Sequence, residues 1–565
     1  MIRLTLSLLL LIILNADVSA QYGKWEIATD LRGDRFSNYF GPSCAALGDQ
    51  NGDGINDVII GDPNFAIAVG SAGRVQILSG KDGSLIRQNL GYLPSSGFGR
   101  DVSSAGDCTG DGVDDYLVFA DRDDYGGLLP PGAVYLFSGN NGQLIRVIRQ
   151  ANLNSYGFGN AMAPFRDFDG DGMDDFLIGS SFETLVYPQD GAVRVYSGAT
   201  GAILLEFSGG FDEAFLGGRV ASGGDFDGDG VVDILSGSEA ASIPGGIRRS
   251  GAARVFSGVD GHELMRIGGD QQQGNFGSDV DFLGDINGDG KDEFIVGADG
   301  GGTGFNTGTV EVFRGGDGEL LFKHEHLRRN ASLGLSVAGL GDVDGDGIPD
   351  YAGGAWGVTG IAFASGEVLV FSGADGFPIG RIKGVNYYSS LGWDVAGIGD
   401  VNGDGRADVL SVEPGFLSPG ASAGRARIDS LDPFIRLSTN TLQASSPHAQ
   451  SLSVNLDFPV AIAGHPYQVI AATQRTVGLR RNPLDLPMDD GALLRQTVSG
   501  DYGGFPFSSG MTGIINAQGN GDAVLLFPPF SPALAPGSAI YFAAVTFDSG
   551  GALDGVTQSL IVKID

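Results

Sequence analysis

Oxygen-bearing side chains recur in one spacing seven times along this chain, and the spacing is that of a hard-cation site. In the first stretch, GDQNGDGINDVII, Asp49, Asn51 and Asp53 stand at positions 1, 3 and 5, Ile55 offers its backbone carbonyl at 7, and Asp57 supplies a carboxylate at 9. The register returns as Asp107, Thr109, Asp111, Val113 and Asp115, as Asp167, Asp169, Asp171, Met173 and Asp175, and as Asp225, Asp227, Asp229, Val231 and Asp233. It continues as Asp285, Asn287, Asp289, Lys291 and Glu293, as Asp342, Asp344, Asp346, Ile348 and Asp350, and as Asp400, Asn402, Asp404, Arg406 and Asp408. Carboxylates, amides and a carbonyl in a tight loop suit an ion of calcium's size, and glycine at position 6 permits the bend. Up to seven structural calcium ions are therefore expected. The alternative, solvated Asp-Gly turns without metal, does not explain why the ligand types keep register seven times.

A helical calcium loop would carry a glutamate at position 12 and run into a helix. Here a short apolar run follows each loop, VIIG after the first and FLIG after the third, which reads as a strand. Each loop is thus a metal-closed turn between two strands. The loops begin 57 to 60 residues apart, so each belongs to a longer repeat. A glycine stands eight residues before every first Asp, at Gly41, Gly99, Gly159, Gly217, Gly277, Gly334 and Gly392, each preceded by Phe or Leu. A glycine-led strand follows, such as GAVYLFSG from Gly132 or GTVEVFRG from Gly308, and a turn of the KDG or NNG type then leads into a fourth strand. Four strands per repeat, seven times over, is the arithmetic of an all-β, seven-bladed β-propeller. KWEIATD, ahead of the first repeat, reads as a strand without a blade; Trp25–Ala28 is expected to complete the seventh and close the ring.

Phe-Gly, then DxDxDGxxD, then a Gly-led strand resembles the FG-GAP repeat of the integrin α-subunit propeller. The resemblance covers about residues 24–433 and implies calcium between the first two strands of each blade. Thr109 at position 3, Glu293 at position 9 and Leu in three of the Phe-Gly pairs depart from the pattern, so the loops at Asp107 and Asp285 are expected to bind more weakly. Integrin α subunits continue into a membrane-anchored stalk, whereas no later stretch of this chain reads as a membrane span, so it is not expected to be an integrin subunit.

Residues 1–20 carry Arg3, an apolar run from Leu4 to Leu14 and the small-residue exit Val18-Ser19-Ala20, the pattern of a secretory leader. The propeller is assigned to 21–433. Beyond it the period stops, and alternating runs such as SLSVNLDF and AIYFAAVTF over 434–565 suggest a small β-sandwich. The 96 glycines fit a turn-rich all-β chain. A formal charge of −34 excludes a nucleic-acid partner, because phosphate binding depends on Lys and Arg. Export would permit a disulfide, but Cys44 and Cys108 sit at different heights in their repeats and are expected to be two buried thiols.

These features point to a secreted, monomeric binding or adhesion scaffold that recognises an extracellular protein or glycan through its loops, with no membrane span. Because strands alternate in direction, the metal turns and the strand 3–4 hairpins share one face, and the longer connections share the other. Aromatic residues on that second face, Tyr92, Tyr125, Tyr156, Tyr187, Phe305, Trp356, Tyr387 and Tyr388, are candidate contacts, although many such rings pack locally. A polysaccharide-active enzyme and a structural cell-surface component are the alternatives. No catalytic residues are assigned: G-x-S-x-G, HExxH and a phosphate loop are absent, and His324-Glu325-His326 reads as the solvated face of a strand. Arg32-Gly33-Asp34, a tripeptide that animal integrins bind, is read as coincidence in a chain this rich in Gly and Asp.

Overall fold

The computed structural model describes residues 25–431, apart from 34–39, 68–69, 124–131, 150–156, 361, 419–420 and 423, together with nine strands between residues 451 and 563. The leader read at residues 1–20 lies outside the described residues, as do Asp34, Tyr125 and Tyr156. The chain divides into two compact units, one spanning Ile27–Phe377 and Ile382–Ser430, the other holding the strands from Leu431 onward.

The first unit is a seven-bladed β-propeller, and no helix occurs among the described residues. Blade 1 shows the plan: Cys44–Leu47, Asp57–Asp62, Arg74–Leu78 and Leu85–Leu90 lie side by side in chain order. The second strand is buried along its whole length, the third nearly so, and the fourth alternates between exposed and half-buried. This gradient is what a blade packed between two neighbours requires: apolar runs in the middle strands and alternation at the rim. The seventh sheet is completed by Trp25–Arg32, which pairs with Arg425–Leu431. The leftover strand thus has the expected role and is twice the expected length.

The Phe-Gly pairs join one blade to the next. Phe98 bridges Gly73, Leu216 bridges Gly191, Phe276 bridges Gly251, and Phe40 bridges Gly424, so the same contact also closes the ring. The apolar member is buried throughout. At five of the seven junctions its glycine faces a second-strand glycine of the preceding blade, so closely that a Cβ on Gly179 would lie 2.2 Å from the Gly217 carbonyl oxygen; Gly159 and Gly41 instead meet the side chains of Phe119 and Val412. Register shifts follow the pair in blades 2, 3, 5 and 6, for example between Phe98 and Asp101. Such bulges re-aim the residues after them.

Cys44 and Cys108 are buried free thiols. His324 and His326, expected on a solvated face, are instead packed away. His324 stacks on Phe371 at 4.0 Å and bonds the Tyr351 hydroxyl at 2.8 Å, while His326 pairs with Glu367 at 2.7 Å. Those partners belong to the next blade, whose wall covers this stretch of the rim strand.

In the second unit Thr512–Ile514, Pro466–Ala472, Ala539–Phe547 and Leu553–Val556 form a sheet in that order, with Leu560–Lys563 also paired to Ala539–Phe547; Ser451–Asp457 pairs with Asn520–Leu526. Ser451–Asp457 and Ala539–Phe547 fall on the alternating runs SLSVNLDF and AIYFAAVTF, whereas Thr512–Ile514 and Leu553–Val556 lie outside any run that was read; the face-to-face packing of a sandwich lies outside the described residues.

Candidate metal loops and the central cavity

All seven acidic loops join the first strand of a blade to its second, and each folds around its position-1 carboxylate. Asp49 accepts the N–H of Gly52 at 2.6 Å, Asp53 at 3.1 Å and Gly54 at 2.6 Å. Gly54 has φ +82, which explains the glycine there. Positions 3 and 5 make the next turns, Asn51 accepting from Asp53 and Asp53 from Ile55. The pattern recurs at Asp167, Asp225, Asp342 and Asp400. Burial pushes the Asp49 carboxyl up, but the N–H groups of Gly54, Gly52, Asn51 and Asp53 outweigh it and hold the group below the usual carboxylate range.

Position 9 is different. Asp57, Asp115, Asp175, Asp233, Glu293, Asp350 and Asp408 are all buried. In the fourth loop Asp233 accepts the N–H of Phe226, at position 2, at 2.9 Å, and that of Gly258, in the strand 3–4 hairpin, at 2.9 Å. Asp57, Asp175, Glu293 and Asp350 make the same two bonds. These bonds place the loop and the hairpin on one face. Burial, opposed by those N–H groups and reinforced by neighbouring acids, raises Asp57 and Asp233 to about 6 and Asp350 to about 8.

The donor set fits a divalent cation. One ligand oxygen from each of Asp167, Asp169 and Asp175 lies within 4.8 Å of the others, and the same holds for Asp225, Asp227 and Asp229 and for Asp342, Asp344 and Asp350. Every donor is an oxygen, as a hard ion requires. The two departures from the pattern resolve differently. Glu293 takes the position-9 bonds with its longer side chain, from Ile286 and Gly315. In the second loop the N–H of Cys108 turns to the Gly106 carbonyl, and Asp115 keeps one buried oxygen without a hydrogen-bond partner. A cation is one way to satisfy such an orphan.

A second feature escaped the sequence reading. Residues two places after the Phe-Gly glycine, Ser43, Asp101, Arg219, Asp279, Ser336 and Asp394 among them, line a cavity of about 570 Å³. It opens where the first strands begin, opposite the metal loops. Ser43 donates to Asp101 at 2.7 Å, Ser336 to Asp394 at 3.1 Å, and the Cys44 N–H to Asp394 at 2.9 Å. Arg219 stands 3.6 Å from Asp279. Burial raises Asp394 to about 7, against the Cys44 N–H and with help from the nearby Asp279 and Asp101 charges. The signal that could have found this site is positional: a polar residue at the same offset from glycine in most repeats.

Of the aromatic candidates, Tyr92, Phe305, Tyr387 and Tyr388 are more than half exposed on that same face, joined by Phe363. Tyr187 is also exposed, whereas Trp356 is half-buried and packs edge-on to Trp393 at the cavity wall.

The FG-GAP repeat family matches residues 158–196, which run from the first strand of blade 3 to the end of its third, and an FG-GAP-like repeat matches 285–352, from one metal loop into the next blade. These stretches are FG-GAP repeats, set in a propeller that resembles that of the integrin α subunits. Integrin alpha-5 of Xenopus laevis is 32% identical over 215 residues, covering 36% of this chain and 20% of that protein. Integrin alpha-V of Gallus gallus is 33% identical over 153 residues, covering 26% and 14%, and integrin alpha pat-2 of Caenorhabditis elegans is 29% identical over 217 residues, covering 34% and 17%. The chain therefore spans no more than a fifth of the length of these relatives. No helix among the described residues of this FG-GAP protein is long and apolar enough to cross a membrane.

Proposed function

We propose that this FG-GAP propeller works outside the cell as a calcium-stabilised scaffold that takes a protein or glycan ligand on the face opposite its metal loops. The leader read at residues 1–20 and an accessory sandwich over 434–565 belong to this reading, as does calcium in up to seven loops. The observation that supports it best is the exposure of Tyr92, Phe305, Phe363, Tyr387 and Tyr388 in loops of the face onto which the polar cavity opens, with Phe363 and Tyr388 in edge contact at 5.3 Å. Exposed aromatics beside convergent polar groups are what a recognition surface needs. Calcium would leave that face free, because its oxygen donors lie on the other.

The test is retention on immobilised polyuronates, neutral glycans and extracellular-matrix proteins, with release of unsaturated or reducing ends followed in parallel. Retention without turnover, lost in a Tyr387→Ala/Tyr388→Ala double variant whose melting temperature is unchanged, is the expected result. Turnover would favour the second reading, a polysaccharide-active enzyme, for which the carboxylates of the cavity are the supporting observation. No retention on any surface would overturn both.

A further inference from the structure

We infer that carboxylates at position 8 of the loops couple neighbouring cation sites, so that filling one blade raises the affinity of the blade before it. This rests on the calcium reading above and deepens it. Position 8 lies between the carbonyl at 7 and the carboxylate at 9, yet its side chain turns out of its own loop. Asp174, of the third loop, accepts the N–H of Asp107 at 2.9 Å, and its own N–H donates to the Asp107 carbonyl at 3.0 Å. Asp292, of the fifth, accepts from Asp225 at 2.8 Å and donates to its carbonyl at 2.9 Å. Asp114, of the second, accepts from Gly48 at 3.2 Å, while its carbonyl takes the Gln50 amide at 2.7 Å. The approach is close: a Cβ on Gly106 would lie 2.6 Å from the Asp174 carboxylate.

The contact falls on position 1, or the residue before it, of the neighbouring loop, and position 1 is the residue around which that loop folds. A cation held by Met173 and Asp175 would fix Asp174 between them, and Asp174 holds Asp107 through its carboxylate and through its own N–H. Fixing Asp107 from its own side constrains Asp174 in return, and linkage requires the effect to be equal in both directions. The ring is not uniform in this respect. Between blades 6 and 7 the backbone bond remains, from the Ala407 N–H to the Asp342 carbonyl at 2.8 Å. In the sixth loop position 8 is Pro349, which has neither a carboxylate nor an N–H, so neither bond to the fifth loop can form.

The test is a calcium titration of the full mature chain followed by hydrogen exchange, read separately for peptides covering each loop. Asp169→Ala disables the third loop at an exposed position and leaves Asp174 in place. The calcium midpoint for protection of residues 107–113 should then rise by about fivefold or more, the lower end of ordinary coupling. Asp174→Ala, which removes the acceptor for the Asp107 N–H and leaves the third loop its ligands, should shift that midpoint similarly, and adding Asp169→Ala to it should shift it little further. Asp346→Ala, which disables the sixth loop, should leave the midpoint of the fifth where it was. A second-loop midpoint that is the same in Asp169→Ala as in the unaltered chain overturns the coupling. So does an equal shift of the fifth loop in Asp346→Ala, which would reflect charge rather than contact. If no loop of the unaltered chain gains protection with calcium, it is the metal reading that fails.

Discussion

A carboxylate at position 9 shapes its loop before any cation arrives. Asp233 accepts two buried N–H groups, one from its own loop and one from the strand 3–4 hairpin. Asp229, at position 5, is exposed and accepts only the Val231 N–H. The two should therefore behave differently in urea unfolding. Asp233→Ala leaves two buried donors unpaired at about 1–3 kcal/mol each, and should destabilise the protein with chelator present as well as with calcium. Asp229→Ala should cost stability chiefly in calcium. Equal losses for both variants in chelator would contradict this division of labour. Positions 1, 3 and 5 were legible in the sequence because the turn bonds they accept come from N–H groups within five residues. The second partner of position 9 was not, since Gly258 is 25 residues away and becomes a neighbour only once the blade is folded. The histidines were misread for a similar reason: the wall over His324 is built by Tyr351 and Phe371, from the following repeat.

At the scale of strands, the repeat is held together by backbones that come closer than side chains allow. Gly179 and Gly217 face one another from adjacent blades, and Gly179→Ala would drive a Cβ into a carbonyl oxygen. Thermal unfolding should register a loss of at least the 1–3 kcal/mol typical of overpacking, whereas alanine at exposed Gly360, where a Cβ would lie no closer than 3.5 Å to any atom, should lack that clash and cost far less. Equal effects would mean that the close approach is not structural. The two glycines were visible in the sequence in five of the seven repeats; that they belong to one contact between different repeats was not, because spacing within a repeat carries no record of the neighbour.

The start of the first strand in most blades also turns a polar residue into the central cavity, and this burial has a consequence for pH. Burial raises Asp394 and Asp281 to about 7, so the folded protein holds protons there that the unfolded chain releases near the ordinary carboxylate value. Their protonation stabilises the fold at low pH, and that contribution is lost as pH rises toward and through 7. With calcium saturating the loops, melting temperature should fall between pH 6 and pH 8, and Asp394→Asn should flatten the slope. A melting temperature that rises across that interval would contradict the assignment of Asp394 and Asp281 as buried, protonated carboxyls.

For the whole molecule, seven sheets close into a ring through the strand that precedes the first repeat, which covers the edge of Arg425–Leu431 and gives the seventh blade four strands like the others. Removing that strand should expose the edge of Arg425–Leu431 and promote association, which light scattering would detect. Blade number and closure were readable from the period alone, because a repeat that cannot bury its own face must stack on the next. The ligand was not, since recognition depends on loops brought together from several blades. The central claim is that cations hold this ring. At tenfold above a dissociation constant in the range of extracellular modules, each site adds roughly 1.4 kcal/mol by mass action, and seven add about 10, comparable with the net stability of a typical domain. The most direct measurement is the calorimetric melt of the mature protein in millimolar calcium and in excess chelator. The prediction is a transition at markedly lower temperature without calcium, restored when calcium is returned; two superimposable melts would contradict it.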